Sequence, residues 1–225
     1  MNSFARIAAV CSLALALALA FAVSAARAQT TVAENTAGTY PESLPATSGP
    51  YTFYAGQSFT TANNGTGYTL GTICLLTAGG SPSGSGSLYL FSAPYGGVEA
   101  DLSTTTTNLL GSATWSGASS CWDFSAANIT LNEATIYYFF IAPDSSGLSF
   151  GFGSTTGSDA VDLYSGGEYY VATASANIFN ALPSDLDFRV TGAAVPEPAT
   201  CAALAGIGAL GLVLWRRRSA HARRA

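Results

Sequence analysis

Between Gln29 and Val195 the chain carries almost no helix signal, and this narrows its fold more than any other feature. Gly, Ser, Thr, Asn and Pro recur throughout, with aromatic and β-branched residues in short runs between them. Such punctuation predicts many short strands joined by turns. The clearest strand covers 185–191, where Leu186, Phe188 and Val190 alternate with Asp185, Asp187, Arg189 and Thr191. One face is expected to be buried and the other wet, with Arg189 beside Asp187. Residues 87–91 alternate likewise, and 135–141 is apolar on both faces, as in a central strand. Further strands are expected at 51–54, 57–60, 69–76, 109–115, 121–124, 148–152, 160–164 and 168–172. Turn signals separate them: Asn63-Asn64-Gly65, Gly79-Gly80-Ser81-Pro82, Pro94-Tyr95-Gly96-Gly97, Pro143-Asp144-Ser145-Ser146-Gly147 and Ser165-Gly166-Gly167. Residues 81–87 read as the most flexible loop, and 29–50 as an extended polar lead-in. Roughly ten strands in this length favour an all-β fold, an antiparallel two-sheet β-sandwich of jelly-roll-like form.

Both ends differ from this middle. Arg6 opens the chain, an Ala/Leu run fills 7–23, and Ala26-Arg27-Ala28 puts small residues where a signal peptidase reads them. Residues 1–28 are therefore expected to be a signal peptide cut between Ala28 and Gln29, an uncleaved anchor being the alternative. At the other end Val195-Pro196-Glu197-Pro198 precedes an apolar run over 199–215, closed by Arg216, Arg217 and Arg218. As a helix that run spans about 26 Å, slightly short of a hydrocarbon core of about 30 Å. The Arg216 stem and the Trp215 ring can extend it at the interface. Five arginines after the run and none just before it put the C-terminus in the cytoplasm and the main domain outside the inner membrane.

Charge excludes several functions. Between Gln29 and Val195, twelve acids against Arg189 alone give −11, with no lysine. Such a domain repels nucleic acid. The one histidine, His221, lies in the C-terminal tail, so the exported part has no His-dependent triad, His-ligated zinc or His base. Nothing in the spacing of Glu99/Asp101, Asp159/Asp162 or Asp185/Asp187 places two acids across a cleft as glycoside hydrolysis requires. No enzyme activity, cofactor or metal site is expected. Calcium is the one ion that the loop acids and carbonyls would suit, although no EF-hand spacing occurs. Cys74 and Cys121 would pair in an oxidising compartment, two buried free thiols being the alternative. Most aromatics are expected to fill the core. Tyr95, in a Pro-Tyr-Gly-Gly loop, and Tyr169 and Tyr170, after Gly166-Gly167, are the ones expected to be exposed, and exposed tyrosines can stack on sugar rings.

Two resemblances follow from these residues. Gln57-Ser58-Phe59-Thr60, Tyr68-Thr69-Leu70, Ser87-Leu88-Tyr89-Leu90-Phe91-Ser92, Ile129-Thr130-Leu131 before Thr135-Ile136-Tyr137-Tyr138, and Asp187-Phe188-Arg189-Val190-Thr191-Gly192 resemble the choice-of-anchor group of bacterial surface domains, most nearly its R type. That implies an exported β-sandwich over 51–192 and says little of activity. Residues 193–225 resemble the PEP-CTERM sorting signal of Gram-negative bacteria. This resemblance implies that a membrane enzyme, exosortase, recognises Pro196, Glu197 and Pro198, and that Arg216, Arg217 and Arg218 act as the membrane stop. The function it implies is a non-enzymatic cell-surface or extracellular-matrix protein of a polysaccharide-producing cell. The alternative is a glycan-binding module, with extracellular polysaccharide as its partner.

Overall fold

A computed structural model describes residues 29–36, 40–44, 53–76, 83–98, 101–115, 120–154, 164–173, 179–182 and 185–196. Residues 1–28, expected to be a signal peptide, Glu197, Pro198 and the three arginines 216–218 lie outside the described residues, as does most of the strand expected at 160–164. So does the run 199–215, apart from Gly206, Gly208 and Gly211, which are helical. Among the described residues no helix is long and apolar enough to cross a membrane. Residues Gln29–Val195 make one unit.

Its elements are strands, with one short 3-10 turn at Ser125–Ala127. In chain order they are β1 (Thr30–Asn35), β2 (Tyr40–Leu44), β3 (Phe53–Thr60), β4 (Tyr68–Leu75), β5 (Ser83–Phe91), β6 (Leu109–Thr114), β7 (Cys121–Asp123), β8 (Thr130–Leu131), β9 (Ile136–Ser154), β10 (Tyr169–Thr173), β11 (Asn180–Leu182) and β12 (Phe188–Ala194). The smaller sheet runs β1-β12-β4-β7, with β8 also on β4. The larger runs β11-β10-β3-β9-β5-β6, with β2 also on β9. Every described pairing is antiparallel. One core draws on both sheets: Phe59, Leu88, Leu90, Phe139 and Ile141 from the larger, Ile73, Leu75, Trp122, Phe188 and Val190 from the smaller. Phe188 bridges the layers, its ring centroid 6.3 Å from Phe59 and 5.9 Å from Phe139. Burying each such side chain contributes about 1.5–3 kcal/mol, and this interlocking is what makes two half-apolar sheets a sandwich.

Several expectations change. The polar lead-in 29–50 contributes β1 and β2. β1 joins the last strand, Thr30 opposite Gly192 and Glu34 opposite Arg189, and buries Val32 in the core. The loop expected over 81–87 is mostly strand, because β9 offers β5 a partner as far as Ser83. The turn expected at Pro143–Gly147 lies inside the long β9. There Pro143 pairs Gly86 and Leu148 pairs Gly84, so four residues of chain on one strand, 144–147, stand against one, Ser85, on the other. Proline and glycine have become a bulge, the place in a sheet that tolerates a missing donor.

The strand at the C-terminal end keeps its apolar face but not its expected wet one. Arg189 is exposed and bonds Glu34 across β1 at 2.8 Å, not Asp187. Asp187 and Asp185 are buried, at 7% and 1% exposure, because the segment before Phe188 enters the sheet from the core and alternation starts only at Phe188. Burial requires partners. The Asp185 carboxylate accepts from the Gln57 amide at 3.0 Å and from the Tyr164 N–H at 2.9 Å. The Gln57 carbonyl accepts from the Leu186 N–H at 2.9 Å, and the Asn35 amide donates to the Leu186 carbonyl, also at 2.9 Å. Among the described residues no buried side-chain polar atom lacks a partner. Asp185→Ala strands one N–H of the Gln57 amide and the Tyr164 N–H, and is expected to cost about 3 kcal/mol. Asp185→Asn, which keeps one acceptor oxygen, should cost less. Urea unfolding of the two variants checks the order.

Candidate functional site

Alternation along the larger sheet produces a second apolar layer on its outer side. On β9, Tyr137, Phe139 and Ile141 enter the inter-sheet core, so Tyr138, Phe140 and Ala142 point outward. The register aligns Tyr170, Gly56, Phe140 and Tyr89 in one row across β10, β3, β9 and β5. Gly56 is required there: a Cβ would strike the Phe140 ring, which lies over it. The next row holds Ser58, Tyr138 and Phe91, and Ser58 exchanges hydrogen bonds with the Glu168 backbone.

The segment after β5 folds back over part of this layer. Leu102 is fully buried on Phe91 and Phe140, and Phe179 lies 4.5 Å from Phe140. Tyr95 belongs to the same cover. Its ring stacks on Phe91 at 5.2 Å and meets Phe140 at 5.8 Å, and its hydroxyl donates to the Val98 carbonyl at 2.8 Å. The loop tyrosine expected to stand in solvent is therefore half-buried and engaged. Tyr169 is a correction too. It is 8% exposed and belongs to the inter-sheet core, which closes it to a sugar. Tyr170, one residue on, points outward and is half-buried.

The cover leaves one end of the face open. Ile136 is 47% exposed there, and Tyr138, two residues on, is half-buried on the same side. The Tyr138 and Tyr170 rings meet edge to face at 6.0 Å. The Tyr170 hydroxyl donates to the exposed Glu168 carboxylate at 3.4 Å. Burial and the nearby Glu168 charge raise the pKa of the Tyr138 phenol. The same two causes, in that order, raise that of Tyr170. Both hydroxyls therefore keep their protons at neutral pH and serve as donors.

Ile136, Tyr138 and Glu168 were not singled out from the sequence. The parity of Ile136, Tyr138 and Phe140 was legible there, but which part of the row a loop would cover was not.

Other sequence candidates sit elsewhere. Asp185 is tied into the buried network, and Glu99, Asp159 and Asp162 lie outside the described residues. Among the described residues no three His, Cys, Asp or Glu side chains gather as a metal would need. Asn64 accepts from the Thr66 and Gly67 N–H groups and donates to the Gly67 carbonyl at 2.8 Å, so both ends of its side-chain amide are engaged. Cys74 and Cys121 face each other on β4 and β7 and are disulfide-bonded. At the end of β12, Ala194 pairs Tyr68, and the Val195 N–H donates to the Gly67 carbonyl at 3.1 Å. Pro196 follows, exposed.

Residues 194–218 match the PEP-CTERM protein-sorting motif. The chain thus carries the signal of an exported protein sorted through an exosortase. No curated protein sequence matches it. Among solved structures it is similar to the cysteine protease and lectin-like domains of Cwp84, a surface layer associated protein of Clostridium difficile, at 15% identity and a TM-score of 0.38, covering 63% of this chain and 32% of that one. It is also similar to the clostridial cysteine protease Cwp84 after propeptide cleavage, at 13% identity and a TM-score of 0.43, covering 75% of this chain and 40% of that one. The chain thus spans between a third and two fifths of the length of those structures.

Proposed function

We propose that this chain is a non-enzymatic surface or matrix protein of a polysaccharide-producing Gram-negative cell. Its sandwich, of choice-of-anchor type, is exported behind the signal peptide. The helix over 199–215 holds it in the inner membrane with the domain in the periplasm. Exosortase then processes it near Pro196-Glu197-Pro198, and it passes to the cell surface or the extracellular matrix, where biofilm polysaccharide surrounds it.

One observation carries this reading: the sorting motif starts at residue 194, where β12 ends, so the tail follows the folded domain without a spacer. A chain whose last sheet residue is also the first of a sorting signal is arranged for delivery as one piece. Two prolines at that point stop both the strand and the helix and keep the backbone extended. Expression in an exosortase-bearing host and in the same host lacking the enzyme tests it. A shortened form outside the inner membrane is expected in the first, and a full-length form in the inner-membrane fraction in the second. Equal mass and location in both would defeat the proposal.

A further inference from the structure

We propose that the open end of the larger sheet's outer face, formed by Ile136, Tyr138, Tyr170 and Glu168, is a binding platform for a neutral polysaccharide. The proposal does not rest on the sorting reading, because a chain that is never processed carries the same face.

The observation behind it is an uneven cover. Phe91 and Phe140 are at most 1% exposed beneath the loop after β5, Leu102 of that loop is fully buried against them, and Phe179 is 6% exposed. A face serving only as a satellite core would be closed throughout in this way. Instead Ile136 stands 47% exposed beside two tyrosines that are only partly buried. These rings stand on β9 and β10, both of which flank β3 inside the sheet, and they brace each other edge to face at 6.0 Å. Little side-chain freedom is left to lose when a ligand lands.

The chemistry selects the occupant. A pyranose presents a C–H face, which packs against an aromatic ring or the Ile136 side chain, and a rim of hydroxyls. Glu168 offers carboxylate oxygens that accept from sugar hydroxyls, the Tyr138 phenol donates to another, and the Tyr170 oxygen, whose proton points to Glu168, accepts from a third. The Tyr138 hydroxyl has no partner among the described residues. Charge then decides which sugars fit. The patch holds one acid and no base, in a domain of net charge −11, so uronic acids and sulfated sugars are repelled.

The test is retention of the full chain, in detergent, on microcrystalline cellulose, chitin and β-1,3-glucan, with alginate beads as the acidic arm. Retention on at least one neutral polymer is expected, insensitive to added salt, with little on alginate. Tyr170→Ala and Glu168→Gln should each weaken it about tenfold, as truncation of a central contact does. Glu168 is exposed, so Glu168→Gln leaves the fold intact. Tyr138→Phe keeps the ring for stacking and loses only the hydroxyl. Thr130→Ala, on the other sheet, should bind as wild type. Retention on no neutral polymer, equal retention on alginate, or wild-type binding by both Tyr170→Ala and Glu168→Gln would overturn the platform.

Discussion

Replacing Pro196, Glu197 and Pro198 by three alanines is expected to leave the protein full length in the inner membrane. The reason is local geometry. Val195 is held to Gly67 by a backbone hydrogen bond, and the apolar run begins at Ala199. Only the three residues 196–198 separate the folded domain from the proposed membrane helix. Proline lacks the N–H that a strand or helix interior needs, and it disfavours helix in the residue before it. On the proposed reading, the two prolines would keep the native tripeptide open to an enzyme at the membrane surface. Alanine is the best helix former, about 3 kcal/mol better than proline in a helix interior. Three alanines let the membrane helix grow back to the sandwich and hide every peptide bond between them. Glu197→Gln, with both prolines kept, separates side-chain recognition from backbone exposure. Intact mass and membrane fractionation read both variants. A triple-alanine protein released at the mass of the wild type would contradict the assignment of this segment as the processed one.

Breaking the disulfide should bring the largest loss of stability. Cys74 and Cys121 are 47 residues apart, and closing such a loop contributes about 4 kcal/mol in the chain-entropy model. That is a large share of the roughly 5–15 kcal/mol that holds a domain together. Local structure adds to the effect. β7 has three residues and touches β4 through three register pairs, one of them the cysteines themselves. Between them sits Trp122, fully buried, its indole N–H donating to the Gly86 carbonyl on the opposite sheet at 3.4 Å. Without the link, so short a strand has little to hold it, and the largest side chain of the core loses its support. The Cys74→Ser/Cys121→Ser double variant is expected to melt roughly 10 °C lower than the oxidised protein. The wild type in reductant should behave alike. A shift under about 2 °C would mean that packing alone positions β7.

Some of this could be read before any coordinates. Leu186, Phe188 and Val190 announce a half-buried strand by their spacing, and the Pro-Glu-Pro, apolar and arginine blocks announce a tail of another kind. Local patterns of this sort need only near neighbours. Tyr169 and Tyr170 show where such reading stops. Two adjacent tyrosines after a turn satisfy either parity, and only the pairing of Tyr169 with Gln57 puts one in the core and the other on the outer face. Asp187 and Arg189 stop it differently. Both fit a wet strand face until Glu34, some 155 residues away, takes the arginine and the chain before Phe188 turns inward.

The chain alone determined that its middle would be strands, that it would be acidic and without histidine, and that it would end in a sorting segment. Each of these follows from composition or from periodicity over a few residues. Tertiary structure decided which aromatics the outer loop seals in and which it leaves beside Glu168. It also decided that β1, the first strand, lies against β12, the last. Both are outcomes of long-range register, in which a shift of one residue exchanges every inward side chain for an outward one.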